Sequence, residues 1–210
     1  MTAAGRDVLS WEVHRPGGRV VDEVRRFRGQ VLWDGGSRPA FRALTDPHPG
    51  DPAAYHVIVR HGPAIAGCVS VGPVEALAAS AVRTWDPELS ARLLAGHGLA
   101  EPAVVETARL VVAPRWRGRR LGLDLALTTV ALARLLGRRL MWCTAGTRHH
   151  QHRLALAIGL ELREEYGRRY VPELADTLCV LAGDPRDVPV PVRPRLAELR
   201  ELVGERLAAA

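Results

Sequence analysis

The spacing of hydrophobic residues along the chain alternates between a period of two and a period near 3.6, which predicts a mixture of strands and helices. Residues 9 to 14 form the first predicted strand, and apolar residues between positions 20 and 31 recur near helical spacing. Residues 55 to 60 and 65 to 71 are rich in residues that favour strands. Four residues that include glycine and proline separate these two runs, so we predict an antiparallel hairpin.

The second half of the chain continues this mixture. A short helix is predicted after Asp86, because this aspartate can cap a helix and is followed by Pro87 at the first helical position and later by Gly96. Residues 104 to 112 predict a strand, which precedes an apolar helix from about residue 121 to residue 136. The later predicted elements are a strand at 140 to 144, a helix at 149 to 158, and strands at 161 to 170 and 177 to 182.

Two segments follow neither period and are predicted to be irregular. Residues 34 to 54 are dense in glycine, proline and aspartate, so we expect a loop with at most one helical turn that borders a binding site. Residues 183 to 194 are rich in proline and should be extended. Apolar residues at helical spacing between positions 196 and 207 then predict a C-terminal helix. This helix packs on its own domain or, as the alternative, forms a dimer contact.

Length and composition favour a single cytoplasmic domain. With 210 residues, of which 47% are hydrophobic, the chain can build one well-formed core but is short for two. No apolar run approaches the length of a membrane span, and the first ten residues lack the pattern of a signal peptide. The three cysteines are far apart and lie in apolar runs, as is typical of reduced core thiols in the cytoplasm.

The formal net charge of +6 favours an acidic partner, such as a nucleotide, nucleic acid or an acidic carrier protein. Between Glu106 and Gly137 the chain reads ETARLVVAPRWRGRRLGLDLALTTVALARLLG, a strand that leads into an arginine- and glycine-rich turn and then a helix. A helix start leaves backbone N–H groups unpaired and carries partial positive charge, and glycine lets an anion approach the main chain. We therefore predict a site for a phosphorylated cofactor at this turn.

The order of elements around the turn resembles the GCN5-related N-acetyltransferase (GNAT) superfamily. A hairpin precedes the strand, turn and helix, two further strands follow, and the resemblance covers roughly residues 10 to 182. It implies an α/β (α+β) fold, with a mixed, mostly antiparallel central sheet flanked by helices and with a C-terminal helix. Residues 1–182 would form the acyltransferase domain, and the proline-rich segment and helix in residues 183–210 would pack on that same domain.

In that superfamily the turn carries Gln or Arg, two residues, Gly, one residue, and Gly or Ala, and its main-chain amides hold the pyrophosphate of an acyl-coenzyme A (acyl-CoA). Arg117 and Gly122 match the outer positions and Arg120 replaces the central glycine, whereas a register that starts at Arg115 keeps Gly118. The resemblance implies acetyl-CoA or another acyl-CoA as the acyl donor. The implied cofactor-binding residues are Leu110, Val111, Val112, Arg117, Gly118, Arg119, Arg120, Leu121 and Gly122.

A second set of segments resembles the acyl-homoserine lactone and N-acyl amino acid synthase branch of the superfamily. These segments are VRRFR, an acidic loop with TDPHPGD, the runs YHVIV and AGCVSV, and ETARLVV. In that branch a run of Glu, Ser or Thr, any residue, and Arg lies on the strand before the cofactor turn. Glu106, Thr107 and Arg109 match this run, which makes Arg109 a candidate for binding the acyl acceptor.

N-acylation needs a group that accepts a proton from the attacking amine and, in many enzymes, an acid for the departing thiolate. Glu106 is the leading candidate base, because partial burial in an apolar strand would raise its pKa. An ion pair with Arg109 or across strands is the alternative role of this carboxylate. The superfamily often places a tyrosine acid where this chain has Ala155, so His152 and Tyr170 are candidate substitutes.

The run of His149, His150, Gln151 and His152 also raises the question of a metal site. Histidines without a nearby carboxylate or cysteine pair make an incomplete ligand set, so we predict no metal. His149 is instead assigned to the acceptor pocket. The histidines of this run and Tyr166 are further candidates for the acid.

The predicted function is acyl-CoA-dependent N-acyl transfer, with acetyl as the expected acyl group and the amine of an unidentified small molecule as the acceptor. Two alternatives stay open. One is longer-chain transfer from CoA or an acyl carrier protein to an amino-acid-like acceptor, and the other is a noncatalytic protein that binds an acyl-CoA as a sensor or scaffold. Nucleic-acid binding through RWRGRR is less favoured, because arginines near phosphates would serve either ligand.

Overall fold

A computed structural model describes residues 8–33 and 38–210 of the chain. The predicted N-terminal tail up to residue 7 and residues 34 to 37 of the predicted loop lie outside the described residues. The strands are β1 (Leu9–His14), β2 (Tyr55–His61), β3 (Ala64–Pro73), β4 (Val104–Val112), β5 (Leu140–Gly146), β6 (Glu161–Leu162), β7 (Arg168–Val171) and β8 (Asp176–Gly183). The α-helices are α1 (Val21–Leu32), α2 (Ala81–Trp85), α3 (Pro87–Gly96), α4 (Leu121–Leu135), α5 (Gln151–Ala157) and α6 (Arg193–Ala209).

All of these strands belong to one mixed sheet, in the order β1-β2-β3-β4-β5-β8-β6, with β7 also paired to β8. Neighbours from β1 to β4 are antiparallel, and β8 is antiparallel to β5. β4 and β5 are parallel, and their pairing extends only from Val104 opposite Leu140 to Glu106 opposite Trp142. Beyond Glu106 the two strands diverge, so the sheet opens into a cleft between its two halves.

Helices cover both faces of the sheet. On one face α4 packs against β3 and β4, and α6 packs along α4 and β1. Leu196, Leu199 and Val203 of α6 are buried in this layer, and each such burial stabilises the contact by about 1.5–3 kcal/mol. On the other face, α1 covers a cluster that contains Ile58, and α2 and α3 cover a cluster that contains Trp142. The C-terminal helix therefore contributes its apolar stripe to the core of this same chain.

Local capping explains where the predicted helices begin and end. The side chain of Asp86 accepts a hydrogen bond from the Leu89 N–H at 2.9 Å, and Pro87 occupies the first position of α3. α4 ends just before Gly137, which adopts φ 68, a conformation that favours glycine after a helix. No helix in the described part of the chain is long and apolar enough to cross a membrane.

The expected fold class, a mixed and mostly antiparallel sheet flanked by helices with a C-terminal helix, is confirmed. Two local predictions are wrong. Residues 161 to 170 are not one strand, because a 3₁₀ turn at Glu164–Tyr166 and the left-handed Gly167 separate β6 from β7. The loop before β2 contains two 3₁₀ turns, Pro39–Phe41 and Asp51–Ala53, rather than at most one. The short α2 has no counterpart among the predicted elements, since five residues are too few to show a helical period.

Candidate active site

A cavity of about 270 Å³ occupies the cleft where β4 and β5 diverge. Residues 107 to 111 of β4 and 143 to 146 of β5 form two of its walls. Helices α4 and α5 add apolar side chains that include Leu154 and Ala155, and the loop before β2 adds His48. Ligand sites in proteins are typically clefts of this kind, with mostly apolar walls and a few polar groups. This cleft is therefore the candidate active site.

A β-bulge at Arg109 shapes β4 beside the cavity. The register with β3 passes from Ala108 opposite Ser70 to Val111 opposite Cys68, so β4 contains one additional residue. Arg109 adopts φ 55, a left-handed conformation that costs a non-glycine residue about 1–2 kcal/mol. A bulge leaves one residue without its partner in the ladder. Arg109 and its neighbours Ala108 and Leu110 line the cavity, so the bulge lies in its wall.

The side chain of Arg109 turns toward the loop before β2. Its Nε lies 3.2 Å from Oδ2 of Asp46. Within the described residues Arg109 forms this ion pair and none with Glu106. The alternative role predicted for Glu106, an ion pair with Arg109, is therefore wrong. Arg109 also lines the cavity, and its assignment to acceptor binding stays a prediction.

Asp46 belongs to a buried network of charges that fixes this loop. Arg28 of α1 lies 2.9 Å from Asp46 and donates two hydrogen bonds to the carboxylate of Asp51, at 2.8 and 2.6 Å. Arg25 donates a further hydrogen bond to Asp51 at 2.9 Å. Burial alone would raise the pKa of Asp51, but the hydrogen bonds from Arg28 and Arg25 lower the pKa overall. The network joins α1, the loop and the bulged part of β4 into one rigid wall.

Glu106, the leading candidate base, caps the start of α2. Its carboxylate accepts hydrogen bonds from the Ser80 hydroxyl at 2.6 Å and from the N–H groups of Ala81 at 2.9 Å and Val82 at 3.2 Å. Burial raises the pKa of Glu106, and these hydrogen bonds oppose the rise without cancelling it. The carboxylate thus holds α2 against β4. Its role as a base stays a prediction, and such a role would require it to exchange one of these hydrogen bonds.

The arginine- and glycine-rich turn joins β4 to α4 with two residues in the left-handed region. Gly118 has φ 74, and Arg120, which replaces the central glycine of the family pattern, has φ 63. Position 120 therefore keeps a backbone conformation that glycine adopts readily and arginine does not. The N–H of Asp124 donates to the Arg120 carbonyl at 3.0 Å. The N–H groups of residues 121 to 123 precede this bond and have no partner within the helix, so they are the donors that the predicted anion site would use.

Two of the four arginines in the turn pack on a neighbouring ring. The guanidinium groups of Arg115 and Arg119 lie 5.5 and 5.2 Å from the ring centre of Trp116, which is itself buried. Arg117 donates from Nε to the Val112 carbonyl at 3.1 Å. All three arginine side chains are exposed, so they can still contribute positive charge to an anion at the turn.

The other predicted catalytic and substrate-binding residues lie around the cavity rather than in its wall. His152 is half-buried at the start of α5, with Nδ1 3.4 Å from the Gly146 carbonyl. His149 lies exposed in the turn before α5, and Tyr170 is 61% exposed on β7. Tyr166 is buried, with its hydroxyl 3.4 Å from the Ser90 hydroxyl. Within the described residues, none of these four side chains lines the cavity.

His48 is a residue of the site that no sequence motif singles out. It lies between the cavity and a second, more open cavity of about 300 Å³. Its Nδ1 lies 3.3 Å from the Gly50 N–H, which donates to it, so the neutral ring carries its proton on Nε2. Burial and the positive charge of Arg109 lower the pKa of His48 to about 4. The predicted loop does border the site, and a histidine inside it is the only signal that the sequence offers.

Asp176, the first residue of β8, is a second residue of the site that no sequence motif singles out. Its side chain lines the cavity, although the residue is only 6% exposed. It follows Ala175, which adopts φ 48. A single aspartate at the start of a strand carries no recognisable pattern, so only the fold reveals its position.

Comparison with known proteins identifies the fold. No family model matches the chain, and no curated protein matches its sequence. Among solved structures, the CoA-dependent acyl-homoserine lactone synthase BjaI, determined with SAM and isopentyl-CoA, is 17% identical with a TM-score of 0.62. The match covers 94% of this chain and 90% of BjaI. The match to yncA from Salmonella typhimurium, determined with acetyl-CoA, covers 83% of this chain and 94% of that protein, at 12% identity and a TM-score of 0.51. The chain has the GNAT fold, which acyl-homoserine lactone synthases share.

Proposed function

We propose that this chain is an N-acyltransferase that moves an acyl group from an acyl-CoA directly to the amine of a small molecule. The position of the cavity carries the proposal, because it lies where β4 and β5 diverge and beside the turn whose amides open α4. The fold that surrounds it is shared with BjaI and yncA, which were determined with isopentyl-CoA and acetyl-CoA.

The turn fits a pyrophosphate in charge as well as in backbone shape. Unpaired amides at residues 121 to 123 and the exposed guanidinium of Arg117 supply donors. Asp124, the acidic residue in the first turn of α4, is neutralised by Arg195 through contacts of 2.8 and 3.1 Å. Leu110 and Val111 line the cavity and Val112 continues β4 toward the turn, along which the remainder of the cofactor would pass.

The bulge in β4 supplies a second element of the chemistry. A bound acyl-CoA would provide an activated thioester. An unpaired backbone N–H at the Arg109 bulge can donate a hydrogen bond to the thioester carbonyl oxygen, where negative charge develops as the amine attacks. The buried network of Arg28, Asp46 and Asp51 holds this part of β4 rigid, which keeps such a donor in position.

The cavity also favours longer-chain acyl transfer as a second candidate function. Its inner end is lined by the apolar side chains of Ala126, Ile158 and Leu160, and Ala155 stands where the superfamily often has tyrosine. The small side chain leaves space for an acyl group with more carbons than acetyl. Such a donor could be carried by CoA or by an acyl carrier protein, with an amino-acid-like amine as the acceptor.

Donor profiling tests both candidates. Purified protein would be incubated with acyl-CoA donors from acetyl to decanoyl and with a panel of amines and amino-acid derivatives, and free thiol would be measured. Amine-dependent thiol release supports the proposed transfer, and the donor with the largest kcat/KM identifies the acyl length. Tight CoA binding without release across the whole panel would contradict catalysis and support the noncatalytic alternative.

A further inference from the structure

Asp176 presents a buried carboxylate to the cavity. Oδ1 accepts a hydrogen bond from the backbone N–H of Arg148 at 2.9 Å. The guanidinium of Arg148 donates instead to the Ala175 carbonyl at 3.1 Å. In the part of the chain that the structure describes, Asp176 has no ion pair and Oδ2 has no hydrogen-bond partner. The second oxygen therefore faces the cavity, whose lining also includes Arg38 and Arg109.

Asp176 is only 6% exposed, and most buried polar groups in proteins have a hydrogen-bond partner. Among the other buried carboxylates near the site, Asp46 and Asp51 are each paired with arginine, and Glu106, which lines the cavity, accepts three hydrogen bonds. Asp176 accepts one hydrogen bond within the described residues. An unpaired carboxylate in a ligand cavity is complementary to a cation.

Gly146 of β5 makes the position of this carboxylate possible. A Cβ at residue 146 would overlap Oδ2 of Asp176 and lie 2.9 Å from its Cγ. The same atom would lie 3.3 Å from Oε1 of Gln151. Because residue 146 has no side chain, two oxygen acceptors from β8 and α5 converge on the wall of the cavity.

We infer that Asp176 binds the ammonium group of the acyl acceptor and, after the amine has attacked the thioester, accepts a proton from the same nitrogen. The inference rests on the proposed function and assigns the acceptor's chemical class: a primary amine that enters the cavity as a cation. Gln151 supplies a second acceptor for the remaining ammonium hydrogens.

The ammonium gives one proton to solvent, and the neutral amine nitrogen attacks the thioester carbonyl carbon, so that a C–N bond forms. When the C–S bond breaks, the nitrogen of the tetrahedral intermediate gives its additional proton to Asp176, and the thiolate takes a proton from solvent. Asp176 then returns its proton to solvent, and the products are an amide and free thiol.

Asp176→Asn removes the charge but retains an oxygen that can accept the Arg148 N–H, so the fold should be preserved. Gly146→Ala keeps the carboxylate but displaces it from its present position. Asp184→Asn is the matched control, because Asp184 follows β8 directly and pairs with Arg186 outside the cavity. For the best amine found in the panel, kcat/KM should fall about 10- to 100-fold in both cavity variants and stay unchanged in the control.

Binding can be measured without turnover, because the Arg148 amide reports on Asp176. In ¹H–¹⁵N spectra, n-butylammonium chloride should shift the Arg148 amide resonance of the wild type saturably, whereas n-butanol and sodium chloride should not. The shift should be absent in Asp176→Asn and present in Asp184→Asn. An absent shift in the wild type, or one that persists in Asp176→Asn, would overturn the inference.

Two measurements distinguish a failure of the proposed function from a failure of the role assigned to Asp176. If CoA does not bind the wild type, the proposed function fails whatever n-butylammonium does to the Arg148 resonance. If CoA binds and the ammonium-dependent shift is absent, only the assignment of Asp176 fails. The wild-type titration gives this answer even if one of the variants does not fold.

Discussion

Arg28 and Asp51 form a fully buried bidentate ion pair, with Nη1–Oδ1 and Nη2–Oδ2 distances of 2.8 and 2.6 Å. The pair joins helix α1 to the loop before β2, and that loop brings His48 to the cavity. A long loop rich in glycine and proline has little structure of its own. Its position at the active site therefore depends on this pair.

Replacing Arg28 with methionine should destabilise the fold strongly. The substitution removes the arginine that the two buried carboxylates share and leaves them only Arg25 and Arg109, which are partly exposed. Loss of a buried ion-pair partner typically costs about 3–5 kcal/mol. Arg26→Met is the matched control, because Arg26 lies on the same helix with its side chain exposed. Denaturant unfolding measures both free energies. A loss in Arg28→Met no larger than that of the control would contradict the structural role of the pair.

Stability should fall on acidification partly because of His48. Burial lowers the pKa of this histidine from 6.5 to about 4, so between these pH values the unfolded chain binds a proton that the folded chain does not. The unfolding free energy should thus decrease by about 2–3 kcal/mol as the pH falls through this range. His48→Gln should lack this part of the decrease.

Other histidines remain in both proteins, so the difference between the two unfolding curves isolates His48. The exposed His97 provides the control variant His97→Gln. Equal pH dependence in wild type and His48→Gln, measured by denaturant unfolding, would show that the histidine is not held neutral by the loop.

Arg120→Gly should stabilise the protein. Arg120 adopts φ 63, and relief of a left-handed conformation at a non-glycine residue is worth about 1 kcal/mol. For a chain of this length the expected increase in Tm is about 2–4 °C. Arg119→Gly, at a neighbouring position without positive φ, should give no increase. A lower Tm for Arg120→Gly would mean that the arginine side chain makes a compensating contact.

Ala155→Leu should restrict the protein to donors with shorter acyl chains. Ala155 lines the inner cavity, and the added carbons would occupy the space proposed for the acyl chain. The ratio of kcat/KM for octanoyl-CoA to that for acetyl-CoA should fall at least about tenfold. Leu156→Phe enlarges a neighbouring, exposed residue of α5 and should leave this ratio unchanged. An unchanged ratio in Ala155→Leu would place the acyl chain elsewhere.

The sequence predicts the elements whose signals are local. The strand from Val104 to Val112, the apolar helix from Leu121 and the cap at Asp86 each depend on residues within one turn or one strand, and the structure contains all three. The interruption between β6 and β7 is marked in the sequence by Gly167, a turn signal that the prediction of one strand over residues 161 to 170 does not use.

The composition of the site is less accessible from the sequence, because it depends on contacts between distant segments. Asp176 and His48 are 128 positions apart in the sequence and line the same cavity, which exists because β4 and β5 diverge. Tyr170 and His152 were reasonable candidates by residue type, yet neither side chain lines the cavity in the described part of the chain. Residue type indicates the chemistry of the site, whereas the divergence of β4 and β5 determines which residues line the cavity.

Coenzyme A binding, measured by isothermal titration calorimetry, tests the central claim most directly. A Cβ at Gly122 would lie 3.4 Å from Leu154 and meet no backbone, so Gly122→Ala should fold and bind like the wild type. Gly122→Asp and Arg117→Glu place negative charge beside the proposed pyrophosphate site and should weaken binding at least about tenfold. Equal affinity in all four proteins, or no binding by the wild type, would contradict the assignment of the turn at residues 117 to 122 as the cofactor site.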